Sequence, residues 1–396
     1  MTRVRVKSVV HNPVEKADGS PLPFLGLEDL ESGTGRLLVD ELPLKAAEDS
    51  VKHQVGDVLF SKLRPYLAKS YLPKEPGTAT GELLVLRPSS KVNPRYLFYV
   101  TLSRPWIEWA NATAYGTKMP RTSWDLLGEY RMWLPPLEEQ RRIADFLDAE
   151  TARIDRLIQT QQRVASLLSE RDQVRIELAL CQRATGRVKL KRLLLEPLSY
   201  GANAPAEYDN TDWPRYIRTT DIASDGSLRA DTFASLPPSV AKGYELYDGD
   251  LLFVRSGATV GKSLMYQTEF GPAAHAGYLI KARLNPAKAL PKFVWYFCQT
   301  SSYWQQISEG AIQATIQNVN AEKYGNLLIP EISLDEQRRA VDQLDRELEK
   351  SHELTARVSR QIELLTERRQ ALITAAVTGQ IDVSTASGRG IEDGLR

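Results

Sequence analysis

One stretch of the chain decides its fold: LPPLEEQRRIADFLDAETARIDRLI, residues 134–158. After its two prolines, Pro and Gly are absent as far as Arg183, and Glu, Gln, Arg, Leu and Ala dominate. These residues favour helix, and Pro commonly stands at the start of one. The run from Leu137 to Arg183 is therefore predicted to be a single helix, on the order of 65 to 70 Å long at about 1.5 Å per residue.

The same pattern occurs again about half a chain later. The motif EQRR at 139–142 recurs at 336–339, displaced by 197 residues, and opens a second helical run from Leu334. Nearer the front of each copy, GDVLF at 56–60 matches GDLLF at 249–253, displaced by 193 residues. A repeat this long is a duplicated domain, since solenoid units span roughly 20 to 50 residues.

Apolar residues follow a three-four spacing along both predicted helices, which is typical of a coiled-coil seam. In the first helix these residues are Leu147, Ile154, Ile158 and Leu168. In the second they are Val341, Leu344, Leu348, Val358, Ile362, Leu365 and Leu372. Because a domain separates the helices, we expect the second to return beside the first, antiparallel and with an approximate two-fold axis. Helices that merely tether two domains are the alternative.

The predicted fold class is α+β, with two mixed α/β domains separated by a long antiparallel two-helix coiled coil. Short strand-like runs punctuated by Pro and Gly fill the regions before each helix. Gly186 and Gly379 are the expected helix ends. The predicted segments are a first domain at 1–135, a helix at 136–185, a second domain at 186–331, a second helix at 332–383 and a disordered tail at 384–396.

Composition limits the class of protein. The 396 residues are 42% hydrophobic and 26% charged, as in ordinary globular proteins. Cys181 and Cys298 are the only cysteines and occupy unrelated positions, so neither a disulfide framework nor a metal cluster is indicated. The N-terminus lacks the apolar core of a signal peptide, and no apolar run approaches the ~20 residues that span a bilayer. We therefore expect a cytoplasmic protein.

Motifs that carry catalysis are nearly absent. Neither a repeated counterpart nor a metal-ligand spacing is found for the four histidines, His11, His53, His275 and His352. Residues 256–263, SGATVGKS, resemble a phosphate-binding loop, but that loop begins with Gly where this segment has Ser256. We therefore expect no catalytic residue, no metal and no cofactor bound by this chain.

Two polar loops correspond in the two halves and are candidates for binding nucleic acid. The net charge of +1 neither supports nor excludes this class, because basic loops can be offset by acidic helices. Arg and Lys suit phosphates and guanine edges, while Gln and Asn can bond adenine in two places. The candidates in the first half are Lys62, Arg64, Tyr66, Lys69, Thr117, Lys118 and Arg121. Those in the second half are Arg255, Ser256, Thr259, Lys262, Gln313, Thr315, Gln317 and Asn318.

The sequences that flank these loops match in the two halves, while the polar residues within the loops differ. That combination fits two domains that recognise different DNA sequences. For any single residue, a solvated surface loop is the alternative interpretation.

Three motifs carry a resemblance to a known family. They are LPPLEEQRRI at 134–143 with its second copy from Ile329, GDVLFSKLRPY at 56–66, and GDLLFVRSG at 249–257. Together they resemble the DNA specificity subunits of Type I restriction-modification systems. The resemblance covers nearly the whole chain except the last dozen residues.

This resemblance implies two target-recognition domains, each binding one half of an interrupted double-stranded DNA sequence, and helices that act as a ruler. It also implies docking of two methyltransferase subunits, which carry S-adenosylmethionine and adenine methylation, and of restriction subunits. The candidate docking residues are Glu139, Gln140, Arg141, Arg142, Glu336, Gln337, Arg338 and Arg339. A two-domain protein-interaction scaffold without direct DNA readout is the alternative.

Overall fold

The structure is a computed structural model. It describes residues 2–46, 49–182, 184–223, 225–229, 231–311 and 318–383. These residues form two compact units. Unit 1 takes the described residues up to Gln162 and those from Ser359 onward, and unit 2 takes those of Arg163–Val358. Each unit therefore includes a part of both long helices.

Short strands and helices precede the first long helix in unit 1. The strands are β1 Arg3–Arg5, β2 Val10–His11, β3 Leu22–Leu25, β4 Leu44–Lys45, β5 Val51–His53, β6 Val58–Ser61, β7 Ser70–Tyr71, β8 Gly77–Ala79, β9 Leu83–Pro88 and β10 Arg131–Trp133. The helices are α1 Pro94–Leu102, α2 Arg104–Ala112, α3 Trp124–Leu127 and α4 Leu137–Cys181. One antiparallel sheet has the order β2-β9-β6-β7, and a second sheet, β4-β3-β8-β5, contains the parallel pair β3 and β8.

Unit 2 follows the same plan. Its strands are β11 Gly186–Lys189, β12 Ser199–Tyr200, β13 Arg215–Ile217, β14 Leu251–Val254, β15 Ser263–Met265, β16 Ala273–His275, β17 Leu279–Ala282 and β18 Leu328–Glu331. Its helices are α5 Pro238–Ala241, α6 Pro291–Phe297, α7 Ser301–Ala311, α8 Ala321–Gly325 and α9 Leu334–Thr378. The sheet order β12-β17-β14-β15 reproduces β2-β9-β6-β7, and the parallel pair of β13 and β16 reproduces that of β3 and β8.

The predicted internal repeat is therefore confirmed. Every residue of the central strands β6 and β14, which derive from the repeated GDVLF and GDLLF motifs, is buried. Both strands read as continuous apolar runs because both of their faces are covered. Helices α1 and α6 begin at Pro94 and Pro291, where a missing N–H costs nothing.

The two long helices, α4 and α9, each span 45 residues, as the sequence predicts. Their predicted seam residues are buried or half-buried in the units. The core of unit 1 combines Leu147 and Ile154 with Leu372, and that of unit 2 combines Ile176 and Leu180 with Val341, Leu344 and Leu348. No helix in the described part of the chain has the length and apolar character needed to cross a membrane.

The helices run antiparallel within unit 2. Ser351 donates a hydrogen bond to Asp172. Three residues further along α4, Arg175 pairs with Glu347, which lies four residues before Ser351 in α9. In unit 1, Arg369 is only 6% exposed and donates from Nε to Asp155 Oδ1 at 3.0 Å. A buried guanidinium needs such a partner, because an unpaired buried charge is costly.

The two predicted helix ends had different outcomes. Gly379 follows the last residue of α9 with φ of 73°, a left-handed conformation that glycine adopts readily. For α4 the prediction was wrong, because the helix ends at Cys181 and Gly186 instead begins β11. Gly186 is opposite Glu331 in the antiparallel pair of β11 and β18, so strand pairing determines its conformation.

A buried ion pair is repeated in the two units. Arg87 donates from Nε and Nη2 to the two carboxylate oxygens of Asp57, at 2.8 and 2.9 Å, and Asp57 is fully buried. Arg283 binds Asp250 in the same bidentate way at 2.8 and 2.7 Å. These pairs join the start of the central strand to its neighbour, and bidentate pairs are among the stronger hydrogen-bonded contacts.

Replacement of the buried carboxylate should destabilise unit 1. We expect Asp57→Ala to lower the free energy of unfolding by about 2 to 4 kcal/mol, since it removes the bidentate contact and leaves Arg87 only its bond to Glu15. Denaturant titration followed by circular dichroism would measure the loss. Glu108→Ala is the control, because its pair with Arg104 is exposed and should be worth less than about 1 kcal/mol. Equal losses in both variants would contradict this role.

A carboxylate of α4 caps helix α7 in unit 2. Glu177 accepts hydrogen bonds from the backbone N–H of Ser301 at 2.9 Å and from the hydroxyls of Ser301 and Ser302. Burial raises the pKa of Glu177, but these hydrogen bonds outweigh burial, so the pKa lies below its usual 4.5. At the equivalent place in unit 1, Thr374 Oγ1 accepts from the N–H of Arg104, which starts α2, at 3.1 Å.

The two caps should differ in their response to pH. A lowered carboxyl pKa contributes stability above pH ~4.5 that is lost as the pH falls through the folded-state pKa. We therefore expect Glu177→Gln to destabilise unit 2 at pH 7 and to have a shrinking effect towards pH 3. The effect of Thr374→Ala should not change with pH. Unfolding midpoints of the wild type and both variants, measured across this pH range, test the expectation. A difference between Glu177→Gln and the wild type that stays constant with pH would contradict the role of Glu177 as a charged cap.

Candidate nucleic-acid interface

The loop after each central strand has a positive φ at two equivalent positions in both units. We call it loop A, residues 62–69 in unit 1 and 255–262 in unit 2. Arg64 and Ala68 have φ of 49° and 48°, and the corresponding Gly257 and Gly261 have φ of 90° and 89°. Left-handed backbone costs a residue other than glycine roughly 1 to 2 kcal/mol and is often retained at functional sites.

A second loop, which we call loop B, pairs with loop A. It comprises residues 113–122 in unit 1, and its described part in unit 2 is 318–319. Arg64 N–H donates to Pro120 O at 2.7 Å, and Thr122 N–H donates to Lys62 O at 2.9 Å. The structure thus brings together two loops that the sequence places about 55 residues apart.

Unit 2 repeats this pairing. Val319 N–H donates to Arg255 O at 2.8 Å, which corresponds to the bond from Thr122 to Lys62. Bridges between Leu63 and Arg121 and between Ser256 and Asn318 are also equivalent. The predicted DNA-binding residues Gln313, Thr315 and Gln317 lie outside the described residues.

Most candidates of unit 1 are available at the surface of these loops. Arg64, Thr117 and Lys118 are exposed, Tyr66 is 52% exposed, and Lys62 is half-buried. Lys69 differs, because its Nζ donates to Leu27 O at 2.6 Å and ties loop A to the unit. The Lys69 ammonium is therefore engaged within unit 1.

In unit 2 two exposed tyrosines, Tyr200 and Tyr278, contact Arg255 of loop A. The Arg255 guanidinium lies 4.8 Å from the ring centroid of Tyr200 in β12, a cation–π arrangement. Tyr278, just before β17, is 63% exposed, and its carbonyl accepts from Arg255 N–H at 3.0 Å. Ser256, Thr259 and Lys262 are half-buried, and Asn318 is exposed.

Sequence reasoning missed Tyr200, Tyr278 and Glu82. Glu82, just before β9, corresponds to Tyr278, since its carbonyl accepts from Lys62 N–H at 3.0 Å. Its carboxylate pairs with Arg121 of loop B. The only sequence signal was their position beside a strand that could neighbour the Gly-Asp strand.

The repeated EQRR motif divides into buried and exposed residues. Gln140 is buried; its Oε1 accepts from Asn93 N–H at 2.8 Å, and its Nε2 donates to Lys91 O and Pro135 O. Gln337 repeats this pattern with Leu290 N–H, Lys288 O and Ile332 O. These amides connect each helix to its own unit, so neither is available to a docking partner.

The other residues of the motif lie nearer the surface. Arg141, Arg142, Arg338 and Arg339 are exposed, whereas Glu139 and Glu336 are half-buried. Glu336 accepts hydrogen bonds from Ser333, whose hydroxyl in turn accepts from Glu336 N–H, a capping box at the start of α9.

Neither the histidines nor the glycine-rich segment forms a catalytic arrangement in the described residues. His53 and His275 are buried, and burial lowers the pKa of both to about 4, so both are neutral at pH 7. In the segment at 256–263, Ser263 begins strand β15. A phosphate-binding loop needs the start of a helix at that position.

The fold and the loops together describe a duplicated α+β protein. In both units loops A and B have equivalent backbone pairing, which we call the frame, but they carry different polar side chains. Residues 45–170 match the family model described as Type I restriction modification DNA specificity domain. The chain also resembles the Type I restriction enzyme EcoDI specificity subunit of Escherichia coli, with 29% identity over 131 residues. It further resembles the StySPI specificity subunit of Salmonella potsdam, with 26% identity over 207 residues.

These alignments cover 31% and 50% of this chain but only 29% and 43% of the two relatives, so the chain spans less than half the length of either. A solved structure from work on complex assembly and conformational transition of the type I R-M system has the same fold. Its TM-score is 0.74 at 20% identity, over 96% of this chain and 98% of that one. Residues 45–170 thus resemble the Type I restriction modification DNA specificity domain, and the whole chain shares the fold of that solved structure.

The left-handed positions of loop A generate a test in unit 2. A Cβ at Gly257 would meet nothing within 4 Å, whereas one at Gly261 would lie 2.7 Å from Trp304 Cζ3. We expect Gly257→Ala to cost about 1 kcal/mol from backbone strain alone. Gly261→Ala should cost roughly 2 to 4 kcal/mol, because steric overlap is added to the strain. Denaturant unfolding of both variants would show which one loses more free energy of unfolding. A larger loss for Gly257→Ala would contradict the loop geometry.

Proposed function

We propose that this chain is a non-catalytic DNA specificity subunit that recognises a bipartite double-stranded DNA sequence. One observation carries the proposal: loops A and B are joined by equivalent backbone hydrogen bonds in both units, while their side chains differ. Unit 1 presents Lys62, Arg64, Tyr66 and Lys118, whereas unit 2 presents Arg255 and Asn318. Equivalent frames with different donors and acceptors suit two readers of different half-sites.

The net charge of +1 is compatible with this role. The basic residues of loops A and B can bind phosphates locally, while acidic residues elsewhere offset them. The major-groove edges of all four base pairs differ. A few side chains on each frame are therefore enough to recognise a half-site of several bases.

We further propose that catalysis belongs to partner subunits. The exposed Arg141 and Arg142 recur as Arg338 and Arg339 on the second helix, which offers two equivalent docking surfaces for two copies of an adenine methyltransferase. S-adenosylmethionine would be bound by those copies, and restriction subunits would join the same complex. The cytoplasm, which holds the host DNA, is the proposed location.

Sequencing of modified bases in host DNA with and without this gene tests the function. We expect adenine methylation at one interrupted motif to disappear on deletion. Replacement of residues 186–331 by the corresponding domain of a relative should change only one half of that motif. If both halves change, the units are not independent readers. If the methylation pattern is unchanged by deletion, the protein-interaction scaffold becomes the better interpretation.

Replacement of Lys118 tests whether loop B contacts phosphates or bases. We expect Lys118→Ala to weaken binding of the methyltransferase complex to all duplexes about equally, because an exposed lysine neutralises a phosphate. The slope of log affinity against log salt should fall by about 0.9. Lys16→Ala, an exposed lysine beside β5, is the control and should change neither quantity. A loss confined to one base pair would contradict the phosphate role.

A further inference from the structure

An acidic side chain lies among the basic loops of unit 1. Glu82 stands where loops A and B meet, since its backbone carbonyl accepts from Lys62 N–H in loop A and its carboxylate pairs with Arg121 in loop B. A carboxylate on a DNA-binding face repels phosphates, so its presence there needs a reason. The reason lies in the way Glu82 holds the side chain of Arg121.

Glu82 occupies only one edge of the Arg121 guanidinium. Nε of Arg121 lies 3.2 and 3.4 Å from the two carboxylate oxygens, and Nη2 lies 3.2 Å from Oε1. An arginine carries five N–H donors in a rigid plane, so this contact leaves the outer edge formed by Nη1 and the second N–H of Nη2. That outer edge has no hydrogen-bond partner among the described residues.

The chemistry of the pair favours a base over a phosphate. With its carboxylate, Arg121 has little net charge to offer a phosphate, yet it retains two parallel donors. Guanine presents two acceptors, O6 and N7, to the major groove, and bidentate arginine is their commonest partner. Holding the side chain in place before binding also reduces the rotamer entropy lost on binding.

We propose that Arg121 reads a guanine in the half-site bound by unit 1, and that Glu82 is the positioning residue that orients it. This inference rests on the proposed function. Both side chains are partly exposed, at 36% and 30%, so a base edge can reach the pair.

Unit 2 has other residues in place of this Glu–Arg pair. The residues that correspond to Glu82 and Arg121 are Tyr278 and Asn318, which hold the same places in the backbone frame. Neither carries a charge, and asparagine suits adenine better than guanine. A guanine requirement at this position therefore belongs to one half-site only.

The test uses the complex of this chain with its methyltransferase partner and the bipartite duplex found by modified-base sequencing. Affinities would be measured for duplexes carrying each of the four bases at each half-site position, at two salt concentrations. We expect Arg121→Lys to lose roughly 5- to 150-fold discrimination at one G·C pair in one half-site, because lysine cannot form the bidentate contact. Its salt dependence should stay unchanged, because the charge is retained.

The variant Glu82→Gln is the matched test of positioning. We expect it to relax discrimination at that same G·C pair while its affinity for unrelated DNA stays the same or rises, since a negative charge is removed. Lys118→Ala is the control, with uniform weakening at all positions. Thermal unfolding of each variant would establish that unit 1 remains folded.

Three outcomes overturn the inference. Uniform weakening by Arg121→Lys would make Arg121 a phosphate contact, and unchanged discrimination in Glu82→Gln would remove the positioning role. Discrimination lost at an A·T pair would overturn the choice of guanine. If the wild-type complex binds no duplex selectively, the proposed function itself fails, which is distinct from the first three results.

Discussion

Each unit closes its core with residues from both long helices, and the rest of the structure depends on this shared burial. In unit 1, Leu147 of α4 and Leu372 of α9 belong to the same buried cluster. In unit 2, Leu180 and Leu344 do the same. A long helix with one apolar seam would leave that seam in water if it stood alone, and most helix stability in proteins comes from packing. The helices and the two domains therefore stabilise one another.

Duplication extends beyond the fold to individual contacts. Tyr99 donates to Asp148 and Tyr296 donates to Asp345, each joining a domain helix to a long helix at 2.6 and 2.5 Å. The bidentate ion pairs of the central strands and the buried glutamines of the EQRR motif follow the same rule. Each is a polar contact made inside its own unit, so its replacement removes a hydrogen bond that the other unit also makes at the equivalent place.

The frame of loops A and B shows how one backbone can present different chemistry. Unit 2 reaches the left-handed conformation with Gly257 and Gly261, while unit 1 reaches it with Arg64 and Ala68 at a cost in strain. Because backbone hydrogen bonds hold the frame, side chains upon it can vary without loss of the fold. That separation of frame from side chain is what the proposed recognition of two different half-sites requires.

Features that depend on a local pattern of residues could be predicted without the structure. Periodicity and the absence of Pro and Gly predicted α4 and α9, and the repeated motifs predicted two related domains. Gly379 ends α9 as expected, because a left-handed glycine after the last turn is a local property.

The folded structure was needed to show which distant residues meet and which polar groups are buried. Gly186 was misjudged because its partner, Glu331, is far away in sequence, and Glu82 and Tyr278 were missed because they reach loop A only through strand pairing. Lys69 and Gln140 look available in sequence, which records polarity but not burial. Burial and partner choice arise when separate segments pack together, so no local pattern contains them.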